Sequence, residues 1–170
     1  IRKFLKKKLK QKCIELKQTN LSKLVKIMVN KKQVGSDRIS NAIGIINKKS
    51  NYIILDFGTA TTFDVVIKDK YLGGVIAPGV NLSLKTLISK ASLIPPVNIS
   101  KISKIVGTNT SSAVKSGFYW GYVGLIDNVI KLIIKQTNKS FKIILTGGLA
   151  NLFKNTIKGK TEVKKDLTLN

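Results

Sequence analysis

From residue 52 to 78 the sequence alternates with period two, is rich in β-branched and aromatic residues, and is broken twice, at Gly58-Thr59-Ala60 and at Lys68-Asp69-Lys70. Successive side chains of a strand point to opposite faces of a sheet and short turns close hairpins. The pattern therefore predicts three consecutive antiparallel strands, over 52–57, 61–67 and 71–77. Helical spacing follows over 79–92, with Leu82, Leu84, Leu87 and Ile88 apolar and Pro95-Pro96 as the stop. After an irregular stretch to Asn109, a long helix is expected from Ser111 to about Gln136, broken or weakened by Gly117, Gly121 and Gly124. Residues 141–145 read as a short apolar strand that delivers Thr146-Gly147-Gly148 into a helix over 149–153. A meander, then helices, then a strand entering a Gly-Gly turn make a layered α/β or α+β domain.

Upstream, Phe4, Leu5, Leu9, Ile14 and Leu16 form a rough helical stripe ending near Gln18, and 24–29 reads as a short strand. Ile39, Ala42, Ile43 and Ile46 then fall at helical spacing over 36–48, after a Gly-Ser-Asp entry that suits a helix start. Gly35, Ser36, Asp37 and Arg38 thus sit at a loop-to-helix junction, where backbone N–H groups are free to meet an anion. The tail after Lys154 is lysine-rich and weakly patterned. At 170 residues and 43% hydrophobic content, one domain, or one domain and part of another, is expected. The chain opens at Ile1 inside a helical pattern, so a preceding segment is expected to be missing.

A net charge of +23 draws attention to nucleic acid. Almost all of that charge is lysine, however, and no aromatic residues alternate with it as a single-strand stacking platform requires. A solvated basic surface is the expectation, with no nucleic-acid partner. Histidine is absent and Cys13 is the one cysteine, which excludes disulfides, a Cys/His zinc site and any Ser-His-Asp or Cys-His catalytic set within this chain. A reducing, cytoplasmic setting fits. No apolar run is long enough to cross a bilayer, so no membrane partner is expected.

With only 8 carboxylates and no histidine, a general base falls to an Asp or Glu. Glu15, Asp69, Glu162 and Asp166 lie among lysines and Asp127 falls on a helix, leaving Asp37 and Asp56 ahead of Asp64. Asp56 ends an apolar strand before the turn Gly58-Thr59-Ala60-Thr61-Thr62, whose small backbone and hydroxyls suit close approach to phosphate oxygens; a plain hairpin would read the same way. Arg38 is one of two arginines among 31 basic residues, which hints at fork-shaped binding of a carboxylate or phosphate; an ordinary helix-start salt bridge is the alternative. Thr146, Gly147 and Gly148 would let a ribose or ring lie against the backbone, as would any strand-to-helix turn. Gly107-Thr108-Asn109-Thr110 carries the same ambiguity before the long helix.

In order, VGSDRISNAI, LDFGTATTFDVV, YLGGVIAPGV, GTNTSSAVKSGFYWGY and ILTGGLA resemble type III pantothenate kinases across about residues 27–155, and DLTL at 166–169 is similar to the family's closing segment. The resemblance implies an α/β, ribonuclease-H-like actin/Hsp70-type ATPase fold. Residues 1–48 would be the remainder of an N-terminal half and 49–170 the C-terminal half. It implies ATP-dependent phosphorylation of pantothenate to 4'-phosphopantothenate, the first step of coenzyme A synthesis, with Mg2+ and a monovalent cation, K+ or NH4+. Gly35, Ser36, Asp37 and Arg38 match the pantothenate-binding motif, with Ser36 where the family usually has Ala, and Asp37 matches the proton acceptor. Asp56 matches the monovalent-cation ligand, Gly58 and Thr59 an ATP contact, Thr110 a pantothenate contact, and Thr146, Gly147 and Gly148 the adenosine-side turn. A homodimer using the long helix is also implied. The family's Asp-x-Gly-Asn-Thr phosphate loop is not in the sequence, so the chain as given is expected to be incomplete and inactive by itself. A relative that has lost catalysis and a basic nucleic-acid-binding module are the rival readings. The kinase reading requires Asp37 and Asp56 to face a common space.

Overall fold

The computed structural model describes residues 16, 19–165 and 167–168. All of the opening helical stripe except Leu16 lies outside the described residues, as do Asp166 and Leu169. The centre is a 6-stranded sheet ordered β1-β4-β3-β2-β5-β6. The strands are β1 (Lys26–Ile27), β2 (Asn51–Phe57), β3 (Ala60–Ile67), β4 (Lys70–Pro78), β5 (Lys142–Gly147) and β6 (Thr161–Val163). β2, β3 and β4 form the expected antiparallel meander, while β5 runs parallel to β2, β6 parallel to β5, and β1 parallel to β4. The helices are α1 (Ser36–Ile45), α2 (Val80–Lys90), α3 (Thr110–Thr137) and the single turn α4 (Ala150–Phe153).

Alternation along the strands divides the apolar residues between two cores. Ile53, Leu55, Phe57, Phe63, Val65, Ile143 and Leu145 face α3 and α4, meeting Tyr119, Tyr122, Ile126, Ile130 and Phe153. Phe57 stacks on Phe153 with ring centroids 5.2 Å apart. Tyr52, Ile54, Val66, Tyr71 and Ile144 face the other way, onto Ile39, Ala42 and Ile45 of α1 and onto Leu167. The boundary expected between residues 48 and 49 falls in the turn from α1 to β2, and the second core and the sheet continue across it.

Two differences from the sequence reading have plain causes. α3 is unbroken over 28 residues despite its three glycines. Asn109 caps it reciprocally with Ser112, and Tyr119, Tyr122, Ile126, Ile130 and Ile133 bury one stripe, which outweighs a glycine penalty of about 1 kcal/mol each. β6 went unread because it is a three-residue edge strand (TEV) in a lysine-rich stretch, too short to show a period. Its pairing with β5 defines it.

Candidate active site

α1 is entered at Gly35 with no side-chain cap, and Asp37 supplies negative charge to its first turn. The Asp37 carboxylate folds back over Gly35 so closely that a Cβ there would collide with Asp37 Oδ1. Arg38, Asn41, Ala42 and Ile45 recur at three- and four-residue spacing, so one helix face carries two polar side chains and two apolar ones toward the sheet.

Both polar groups reach carboxylates on the sheet. Asn41, fully buried, donates from Nδ2 to Asp56 Oδ2 at 2.9 Å, and its own Oδ1 accepts from the Thr168 hydroxyl at 2.7 Å. Arg38 donates from Nε to Asp64 Oδ1 at 2.8 Å. Its Nη2 stands 2.7 Å from the same oxygen, an ion-pair distance. The N–H bonds of Nη2 miss that oxygen, however, and Nη2 is buried without a hydrogen-bond acceptor.

Asp56 is the penultimate residue of β2, opposite Thr62 on β3 and Thr146 on β5. It therefore sits at the carboxyl ends of parallel β2 and β5, where open α/β sheets bind ligands. Burial raises its pKa above the ordinary carboxylate value, the Asn41 hydrogen bond lowers it, and the nearby negative charge of Asp37 raises it further. Gly147 ends β5 at φ +84, and a Cβ there would stand 2.7 Å from Asp56 Oδ1, so the missing side chain leaves room for the carboxylate. Gly58 and Thr59 form the exposed tip of the β2–β3 hairpin beyond Asp56.

The structure sorts the other expected residues. Ser36 is exposed beside Asp37. Gly148 is exposed, whereas Thr146 is buried and directs its hydroxyl to the Lys165 carbonyl at 3.4 Å. Thr110 is the first residue of α3, exposed, and no hydrogen bond among the described residues joins it to the Asp37–Asp56 group. The two largest described cavities, about 460 and 470 Å3, share Ile134 and Lys158 near the end of α3 and do not include these carboxylates. Asn41 is the residue that sequence reasoning passed over, and Asp64, ranked there as a third candidate base, is instead the buried partner of Arg38. Asn41 had a signal, because it lies three residues after Arg38 on a face otherwise apolar.

As a cation ligand Asp56 is well suited: Oδ2 is satisfied by Asn41, while Oδ1 lies in the space kept by Gly147. A half-buried hard-oxygen donor of this kind fits a hard cation. No group of three or more His, Cys, Asp or Glu side chains among the described residues makes a separate metal cage.

Comparison with known proteins bears on what this arrangement serves. A family model for type III pantothenate kinase matches residues 1–132. The chain belongs to the type III pantothenate kinase family. A type III pantothenate kinase of Pelagibacter ubique is 63% identical over 166 residues, covering 98% of this chain and 67% of the relative. One from Cereibacter sphaeroides is 46% identical over 138 residues, 80% of this chain and 54% of the relative. This pantothenate kinase family chain thus spans two thirds of one relative and about half of the other. Among solved structures, a conserved Baf family protein from Campylobacter jejuni superposes with a TM-score of 0.61 at 23% identity, over 99% of this chain and 74% of that one. The Alp12 filament structure matches with a TM-score of 0.52 at 17% identity, over 76% and 48%. These likenesses bear on the fold alone, and it is the actin/Hsp70-type fold that the motifs implied. No helix among the described residues is long and apolar enough to cross a membrane.

Proposed function

We propose that this chain is the larger part of a cytoplasmic enzyme that transfers the γ-phosphoryl group of ATP to the primary hydroxyl of pantothenate, giving 4'-phosphopantothenate and ADP. The observation that carries the reading is Asp56 at the carboxyl ends of parallel β2 and β5, bonded to Asn41 of the same helix that presents Asp37 in its first turn, in a chain of this family.

Asp37 is exposed at the first turn of α1 and takes the proton of the pantothenate hydroxyl as its oxygen attacks in line. Gly35, Ser36, Arg38 and Thr110 hold the alcohol. The guanidinium of Arg38 turns both Nε and Nη2 toward Asp64, which leaves Nη1 for a ligand oxygen. Gly58, Thr59 and the Thr146-Gly147-Gly148 turn flank the nucleotide. Asp56 would hold a monovalent cation, which supplies positive charge beside the phosphates, while Mg2+ would accompany ATP. Phosphoryl transfer asks little covalent help of a protein, so positioning and charge neutralisation are the work of these residues. A homodimer through α3 belongs to the same reading, with Leu132 and Ile134 exposed on that helix.

The test is a coupled ATP-consumption assay on the full-length protein with and without pantothenate and potassium. Pantothenate-dependent turnover is expected, and Asp37→Asn should lower kcat by roughly 100- to 10,000-fold with folding unchanged. Unaltered turnover in that variant removes Asp37 from its role.

A further inference from the structure

Asp64 is the one acidic side chain of the sheet with no exposure at all. Its Oδ1 accepts from Arg38 Nε at 2.8 Å and from the Tyr71 hydroxyl at 2.6 Å, and its Oδ2 accepts from the Thr62 hydroxyl at 3.3 Å. Bonded and walled off in this way, it has no route to a substrate. Its one link to the outer surface of α1 is Arg38.

The surrounding backbone is shaped to the same end. Immediately after Asp64 the β3–β4 register slips, so that Val65 lies opposite Gly73 but Val66 lies opposite Tyr71, with Leu72 as the extra residue. Bulges re-aim side chains beside functional sites. This one turns Tyr71 onto the α1 face, where its hydroxyl meets Asp64. Opposite Asp64 stands Gly74, where a Cβ would come within 3.0 Å of Arg38 Nη2.

We infer that Asp64, backed by Tyr71 and Thr62, is a positioning residue for the phosphoryl-acceptor site. It locks the Arg38 guanidinium and thereby sets the rotation of α1, and with it the direction in which Asp37 is presented. The inference rests on the kinase reading above. A helix turns by about 100° per residue, so its neighbour Arg38 fixes where Asp37 points. Two struts one turn apart, Arg38 to Asp64 and Asn41 to Asp56, define both the rotation and the height of the helix. Stability alone does not require the ion pair, since Ile39, Ala42 and Ile45 already bury the helix and well-packed apolar residues commonly replace buried pairs without loss. Geometry does require it, because misplacement of a reacting group by about 1 Å lowers rate by roughly 100-fold.

The experiment measures steady-state kinetics of the full-length enzyme carrying Asp64→Asn, Tyr71→Phe, Arg38→Met or Arg38→Met with Asp64→Asn. Ile126→Ala, in the opposite core, serves as a control for general destabilisation. Asp64→Asn should raise KM for pantothenate and lower kcat, together at least about 10-fold in kcat/KM, with KM for ATP within about 2-fold. Tyr71→Phe should act in the same direction and less, and it carries the test if Asp64→Asn does not fold. In the Arg38→Met background Asp64→Asn should add no more than about 2-fold, because its effect passes through Arg38. A pantothenate KM that Asp64→Asn leaves unchanged overturns the inference, as does a loss matching that of Ile126→Ala in both substrates. If the wild-type protein transfers nothing to pantothenate, the kinase reading falls by itself. The lock is then judged by the NMR signal of Arg38 Nε–H: protected in wild type and exposed in Asp64→Asn if it exists, unprotected in both if it does not.

Discussion

Replacing Gly147 by alanine tests the geometry around Asp56 more sharply than replacing the carboxylate, because its neighbour Gly148 is a built-in control. Gly147 has φ +84, and its missing Cβ would stand 2.7 Å from Asp56 Oδ1, Phe57 N and Phe57 O alike. The left-handed backbone costs an alanine roughly 1–2 kcal/mol. Forcing a methyl group against the backbone of β2 adds about 1–3 kcal/mol. Together they give a loss of roughly 2–5 kcal/mol, or about 4–20 °C in Tm for a chain of this size. Gly148 has nothing within 4 Å of its Cβ position and no positive φ, so Gly148→Ala should move stability by less than about 1 kcal/mol, toward stabilisation if at all. Urea denaturation of both variants, with potassium affinity followed alongside, reads the difference. Equal effects of the two substitutions, or a Gly147→Ala loss below about 1 kcal/mol, would show that the β5 turn does not shape the Asp56 site.

Asn41→Leu should destabilise by about 1–3 kcal/mol, because it strips a donor from half-buried Asp56 and an acceptor from Thr168, and it should weaken potassium activation more than pantothenate binding. Potassium titrations of that variant decide this. Burial, against the Asn41 bond and with the charge of Asp37, holds the Asp56 pKa above 3.8. Folded Asp56 therefore keeps its proton to higher pH than the unfolded chain, and its ionisation weakens folding as pH rises through that interval. A cation at Asp56 offsets the loss, so potassium should raise Tm at neutral pH and lose that effect as acidification protonates Asp56. Calorimetry across pH checks this, and Asp56→Asn should abolish the dependence.

Much of the fold was legible because its signals are local. The meander shows as period two with two punctuating turns, and α1 and α3 show as apolar spacing with good entries. Motif order carried the family, and the positions of Asp37 and Asp56 followed from it. The partners were hidden because they are long-range choices between chemically ordinary residues. Asp64 reads like any polar residue of a strand until α1 lies over it, and Arg38, expected to grip a ligand with its whole fork, spends one edge on that carboxylate. Thr146 looked available to a nucleotide beside its glycines, but strand alternation turns it inward next to Asp56. Neither the bulge at Leu72 nor the edge strand β6 has a period of its own to announce it.

The side-chain partners of α1 also differ in when a ribosome can supply them. Arg38 and Asp64 are 26 residues apart, whereas Asn41 and Thr168 are 127 apart. At about 5–20 residues per second, Asn41 is made roughly 6–25 s before the hydroxyl that completes its hydrogen bonding. During synthesis the Arg38 side of the helix can therefore take shape while the meander is still emerging. The Asn41 side waits for Thr168, and a nascent chain passes through a stage in which the ion pair already grips the helix while the support around Asp56 is unfinished.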